Sequence, residues 1–319
     1  MIMIHLKVSN YTGAYTPLNN LTTLNVSRLD LARAMITVGR RSWSNTFHTG
    51  IFRIGELLCK ALGFTAMNGN CVILNDRFFQ LNQSEKGAVS YYFGQAFTKI
   101  YAEEHLGVKW LLHFDEYSSM ATLQASGTAT PKITIHSGVN KGSRPDLLGL
   151  VKTNTAHILE AKGYSKYYNK SVMQTAINQV SHVNLYNGIP PETRTACFFT
   201  LGEKKTKGII IDPEDKPNAF NVEFDEVKAL NTFYSFFREN KDAFNSPFEI
   251  RGTTYLTVPV GVPDIFVGFN ASLLEMTTEK ILESGFEPSR NSNYSDNVPN
   301  GYSIGSDGII ILDRKFLPR

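Results

Sequence analysis

Between Arg144 and Gly163 the chain reads RPDLLG, a short link, then HILEAKG. In a strand alternate residues share a face, so Ile158, Glu160 and Lys162 point one way while His157, Leu159 and Ala161 point the other. A carboxylate and an ammonium therefore project from the same side of a strand that is otherwise apolar, a place where charge is rarely buried without reason. Asp146 stands at the start of the preceding strand, where pairing brings its carboxylate beside Glu160. Phosphodiester hydrolysis uses such a set. Two carboxylates, often with a backbone carbonyl between them, hold Mg²⁺ with positions open for water and a phosphate oxygen. A nearby lysine orients the attacking water, helps deprotonate it and offsets charge on the phosphorane. The plainer alternative is a structural ion pair between Glu160 and Lys162, with Asp146 merely starting a strand after Pro145. Exposed pairs of that kind contribute little, whereas Ile158 and Leu159 place this one in a central strand.

The elements that must position these groups follow from periodicity. Asn82 followed by Glu85 predicts a helix start that runs to Leu106 and stops at Gly107. Strands follow at 109–115, 133–136, 146–151 and 156–162. A helix over about 170–186 carries Val172, Met173, Ala176, Ile177, Val180 and Val183 on one stripe, and strands at 195–201 and 208–212 close the unit. Before it, residues 1–82 read as a mostly helical region with a short strand at 71–74. After it, residues 213–319 read as a mixed α/β extension: a helix over 224–243, strands at 253–260 and 265–269, and a final strand at 308–313. Whether that extension is separate or adds strands to the same sheet stays open.

On Pro145 and Asp146, then Glu160, Ala161 and Lys162 after a gap of 13 residues, the chain resembles the PD-(D/E)xK nuclease superfamily. The likeness covers residues 83–212 by element order. It implies a restriction-endonuclease-like α/β core with a central mixed sheet flanked by helices and the three side chains converging at one sheet edge. It also implies Mg²⁺ or Mn²⁺ bound by Asp146, Glu160 and the carbonyl of Ala161, with Lys162 at the attacking water. Many members carry a further carboxylate on the helix before the first core strand. Of Glu103 and Glu104, helical phase favours Glu104, which shares the stripe of Phe93, Phe97 and Ile100; the plain reading is that both are solvated. Some branches use a glutamine on the helix after ExK, and Gln179 flanks the apolar stripe where Gln174 lies opposite it. The substrate implied is DNA, in bacterial anti-phage defence or restriction, with repair or mobile-element processing second. A catalytically degenerate binding module of the same fold is the rival reading.

Other signals bound the picture. Lys141 with Arg144, and Lys204, Lys205 and Lys207 in EKKTKG, are candidate phosphate contacts, although a charged hairpin is as often a solubilising turn. Tyr164, Tyr167 and Tyr168, interleaved with Lys166 and Lys170, can stack on or brace a strand of nucleic acid. In GYSIGSDG at 301–308 the glycines lack the phosphate-loop pattern, which argues against an intrinsic ATPase. A net charge of +3 from 32 basic and 29 acidic residues neither demands nor excludes nucleic acid. The three cysteines form neither a disulfide framework nor a zinc site. No apolar run reaches the roughly 18 residues that span a bilayer, so the expectation is a cytoplasmic protein without membrane contact. With no visible motif for selecting sequence or translocating, control is expected from a homo-oligomer or a companion sensor or helicase subunit.

Overall fold

A computed structural model describes residues 3–39, 43, 51–68, 71–117, 120–125, 133–134, 144–165, 167–214, 220–262, 264–286 and 301–316. The strands are β1 (Met3–Ser9), β2 (Thr23–Asn25), β3 (Thr65–Asn68), β4 (Cys71–Leu74), β5 (Trp110–His113), β6 (Ala121–Ala125), β7 (Ile133–Thr134), β8 (Leu147–Lys152) and β9 (Thr155–Tyr164). They continue with β10 (Val183–Tyr186), β11 (Thr193–Thr200), β12 (Lys207–Ile211), β13 (Phe220–Phe224), β14 (Ser246–Ile250), β15 (Thr253–Pro259), β16 (Ile265–Asn270), β17 (Tyr302–Ile304) and β18 (Ile309–Asp313). The helices are α1 (Arg28–Thr37), α2 (Ile51–Leu58), α3 (Asp76–Phe79), α4 (Gln83–His105), α5 (Lys170–Val180), α6 (Glu226–Glu239) and α7 (Thr278–Ser284).

This is an α/β protein whose main sheet is mixed and runs β3-β4-β1-β12-β11-β9-β8-β5, with β2 added beside β1. Parallel pairing of β9 with β11 and antiparallel pairing with β8 put the chemistry-bearing strand well inside it. The expected convergence at a sheet edge is thus corrected: β9 and β8 are interior strands, and β5 is the edge. A long, nearly continuous apolar strand such as β9 needs cover on both faces, and it gets it from α4 and α5, each of which contacts it.

Three sequence expectations are modified. Residues 1–82 do supply α1 and α2, but they also supply β1 to β4, which join the same sheet as β8 and β9. In MIHLKVS the alternation Ile4, Leu6, Val8 buries one face and leaves His5 and Lys7 exposed, a period-two signal. The helix expected over 170–186 ends at Val180, and VNLY forms β10 instead. Ser181 folds its hydroxyl back on the Ile177 carbonyl at 2.7 Å, which closes the last turn before β-branched Val183 begins the strand. Finally, the C-terminal extension divides. Strand β13 pairs with β10 and β6 in a four-stranded sheet, while β14 to β18 make a five-stranded antiparallel sheet of their own. Of the strand expected at 133–136, Ile133–Thr134 is formed and 135–136 lie outside the described residues.

Helix α4 begins as its sequence implies: the Asn82 side chain accepts from the Glu85 N–H at 3.0 Å, and Glu85 accepts from the Asn82 N–H at 2.9 Å. Its approach to β9 is set by two glycines. A Cβ at Gly163 would lie 1.9 Å from the Ser90 carbonyl oxygen, and one at Gly94 would lie 2.6 Å from the Gly163 nitrogen. Both obstacles are backbone, so neither yields by a rotamer change. Gly163→Ala is expected to cost about 1–3 kcal/mol or more by overpacking. Gly87→Ala on the same helix, where a Cβ meets nothing within 4 Å, should be neutral or stabilising. Denaturant midpoints of the two variants decide this, and equal midpoints would contradict the packing argument.

At the start of β9, His157 is fully buried, with Nδ1 2.9 Å from the Thr193 hydroxyl and Nε2 3.5 Å from the Tyr15 hydroxyl. Burial pushes its pKa down to about 3, against a smaller opposing effect of the Leu106 backbone. Above pH 6.5 the ring is neutral folded or unfolded. Between about 3 and 6.5 the unfolded chain takes up a proton that the native state refuses, so stability falls as pH falls. The expected slope approaches 1.4 kcal/mol per pH unit for this one group. Urea unfolding at pH 4.5 and 7 should show that loss in the wild type and a flatter profile in His157→Gln; parallel profiles would assign the acid sensitivity elsewhere.

Candidate active site

The ladder between β8 and β9 runs only as far as Leu147 opposite Leu159. One residue earlier, the Asp146 N–H donates not to a main-chain carbonyl but to Glu160 Oε2, at 2.7 Å. Strand alternation then puts the Asp146 and Glu160 side chains on a common face, as residues opposite one another in a pair must be. Lys162, two residues on along β9, donates to Glu160 Oε1 and lies 4.0 Å from Asp146 Oδ2. The three side chains expected to converge are therefore in mutual contact.

Their burial differs, and the electrostatics follow from it. The Glu160 side chain has no exposed surface, while Asp146 and Lys162 retain 24% and 23%. Burial, and then the neighbouring Asp146 charge, push the Glu160 carboxyl up to about 8, with Lys162 pulling the other way. For Lys162 burial disfavours the ammonium, but Glu160 and Asp146 outweigh it and the pKa rises. Two crowded carboxylates at the mouth of a sheet thus have their mutual repulsion only partly offset by one lysine. That is a donor set suited to a hard divalent cation, which would relieve the remaining repulsion. Among the described residues there is no group of three or more His, Cys, Asp and Glu side chains positioned for a metal. The set implied by resemblance has two carboxylates and the Ala161 carbonyl, and no ladder bond from β8 extends to Ala161.

Gln179 is buried on α5, and its amide nitrogen donates to the Arg144 carbonyl at 3.0 Å, holding the turn that delivers Asp146. Its Oε1 is also buried and accepts no hydrogen bond from the protein. Gln179 thus braces the residues just before Asp146 and keeps an acceptor in reserve.

Two expectations fail on position. Glu104 has the right helical phase but the wrong height. Gly94 touches Gly163 and the Leu106 backbone meets His157, so α4 runs antiparallel to β9. Ten residues past Gly94, at 1.5 Å per residue, Glu104 is carried about 15 Å toward the far end of the strand. Phase fixes the direction a side chain faces and says nothing about distance along the axis. Arg144, expected to reach a phosphate, is instead largely buried and ion-paired with Asp115. Its neighbour Lys141 lies outside the described residues. Lys204 and Lys205 are exposed in the turn after β11, and Lys207 is exposed at the first position of β12.

The helix offers other groups in place of Glu104. Burial, and then the charges of Asp146 and Glu160 with smaller effects of Tyr92 and Asp115, push the Tyr91 pKa up to about 12. Its hydroxyl accepts from the buried Gln95 amide at 2.6 Å, so its own proton is free to be donated elsewhere. Tyr91 and Gln95 are four apart and thus share a helix face, a spacing legible in sequence once the height of Gly94 is known. Asp115, one residue beyond the Phe114 N–H that donates to the Asp146 carbonyl at 2.9 Å, is a third carboxylate nearby.

Two concave surfaces among the described residues lie elsewhere, one lined by Asp225, Lys228, Asn231 and Ser235 and another by Met120, Asn187 and Glu223; none of these residues belongs to the converging cluster. Comparisons of the chain with protein-family models, with curated proteins and with solved structures return no match.

Proposed function

We propose that the protein is a metal-dependent nuclease of the PD-(D/E)xK kind, with a restriction-endonuclease-like core, that hydrolyses phosphodiester bonds of DNA. The observation that carries this reading is the convergence of Asp146, Glu160 and Lys162 across the open end of the β8–β9 ladder. Asp146, Glu160 and the Ala161 carbonyl would hold Mg²⁺ or Mn²⁺. The bound ion would supply charge at the scissile phosphate and lower the pKa of the attacking water. Lys162 is an ammonium throughout the neutral range; within reach of both carboxylates, it orients that water and stabilises the extra negative charge of the transition state. Gln179 fixes the turn before Asp146, and Tyr91 offers a proton-donating hydroxyl toward a phosphate oxygen.

The test is incubation of the purified protein with plasmid and linear DNA in Mg²⁺, in Mn²⁺ and in EDTA. Cleavage with either metal and none in EDTA is the expected result. Intact DNA from a protein of verified fold, with both metals, would overturn the proposal and favour a binding module built on the same cluster.

A further inference from the structure

Strand register extends the face that carries Lys162 well beyond the cluster. Residues directly opposite one another in neighbouring strands share a face. Tyr164 is opposite Thr200, Thr200 opposite Lys207, and Lys207 opposite His5. One step along, Lys162 is opposite Phe198, Phe198 opposite Ile209, and Ile209 opposite Lys7. His5, Lys7 and Lys207 are all exposed. At about 4.8 Å per strand this basic row starts roughly 10–15 Å from Lys162 and crosses the sheet at right angles to the strands.

At the β9 end of the row are aromatic rings. Tyr164, Tyr167 and Tyr168 are 38%, 81% and 42% exposed, high values for so much apolar surface within five residues. They are not loose. Tyr164 stacks on buried Phe198 with ring centroids 5.2 Å apart and planes at 21°, and Tyr168 meets the same ring edge-on at 5.2 Å. One face of Tyr164 is thus fixed from beneath, leaving the ring presented to solvent two residues from Lys162. The turn bearing Lys204 and Lys205 leaves from the same place, since the Leu201 N–H donates to the Tyr164 carbonyl at 2.7 Å.

A fixed, exposed ring beside a row that carries two exposed lysines has a specific use. Cations alone serve a duplex as well as a single strand, but a ring gains stacking energy only from a base whose face is open. The geometry points to single-stranded DNA, or the frayed end of a duplex, as the substrate: its backbone follows Lys207, Lys7 and His5, and an unpaired base stacks at Tyr164 and Tyr167 next to the scissile position. This rests on the nuclease reading for its chemistry but not for its binding.

The test uses the full chain in EDTA, where turnover plays no part, with fluorescein-labelled dT20 and a blunt 20-base-pair duplex followed by anisotropy. The single strand should bind more tightly. Tyr164→Ala and Tyr167→Ala should each weaken it by roughly five-fold or more, with Tyr164→Phe retaining affinity. Tyr167 has no described ring contact within the protein, so its variant tests the idea even if Tyr164→Ala unfolds. Lys7→Ala and Lys207→Ala should reduce the salt dependence, by about 0.7 in the log–log slope for each phosphate that is no longer neutralised. Equal or tighter duplex binding, or unchanged dT20 affinity in Tyr167→Ala, would overturn the inference. The two proposals separate cleanly: dT20 bound through the tyrosines but uncut with Mg²⁺ or Mn²⁺ removes the nuclease, while DNA cut equally well by the tyrosine variants removes the platform.

Discussion

Asp146→Asn, Glu160→Gln and Lys162→Ala are each expected to lower DNA cleavage by about 10²–10⁴-fold or more, the range spanned by loss of a positioned acid–base group, while leaving the fold intact. Each substitution has its own reason for preserving structure. Asp146 is 24% exposed, and the bond to Glu160 comes from its main-chain nitrogen, which Asn keeps. Gln at 160 presents an oxygen to that nitrogen and removes a charge that burial already disfavours. Lys162→Ala strands a buried carboxyl, but that carboxyl is held up at about 8 and can take a proton in place of staying charged. Thermal midpoints within a few degrees of wild type, beside cleavage measured on plasmid in Mg²⁺, complete the experiment. If any one variant stays folded and cuts at more than a tenth of the wild-type rate, that residue is not part of the chemistry.

How much of this was legible in the sequence depends on the distance over which each feature is decided. The strand assignment of HILEAK needed only its own alternation and apolar content, and β9 is there. The cap at Asn82 needed only Glu85 three residues on. The pairing of Asp146 with Glu160 needed one short connection, because adjacent antiparallel strands bring nearby residues together. Glu104 failed because its position depends on how α4 slides along β9, which Gly94 and Gly163 decide by close backbone contact; no pattern within the helix records a partner glycine almost 70 residues away. The basic row was hidden for a similar reason. His5 and Lys7 look like ordinary exposed strand residues until the parallel pairing of β1 with β12 sets them on the Lys162 face.

The same point governs the glycine-rich GYSIGSDG, whose role lies in the core and not in a phosphate loop. Arg33 on α1 grips Glu103 on α4 through two hydrogen bonds of 3.0 and 2.6 Å, and Lys99 lies 2.9 Å from Glu103 and 3.0 Å from Asp307. All four side chains are at most 2% exposed. Two cations and two anions balance, and further groups hold the corners: Ser303 accepts from Arg33 at 3.0 Å, and the Ile309 N–H donates to Asp307 at 3.1 Å. A Cβ at Gly305 would lie 2.3 Å from the Arg33 guanidinium, so glycine there is what admits the arginine. The cluster ties the β17–β18 hairpin to the helix that flanks β9, although Lys99 and Asp307 are 208 residues apart.

Removing one partner from such a set leaves a buried charge without compensation, which costs about 3–5 kcal/mol. Glu103→Gln should therefore lower stability by that order, since Arg33 and Lys99 would then lose the carboxylate they share. Lys99→Met should also destabilise, by removing a cation that lies against both carboxylates. The double variant Glu103→Gln with Lys99→Met restores the balance of one cation to one anion, so its loss should be clearly less than the sum of the single losses. Urea unfolding of the four proteins gives the coupling directly, as contacting charges show interaction energies of about 0.5–3 kcal/mol. Simple additivity would mean that the charges act independently, each relieved by its other hydrogen bonds. A favourable coupling would instead show that Glu103 and Lys99 act as one charge-balanced set, the same set through which Asp307 beside the β17–β18 hairpin reaches α4.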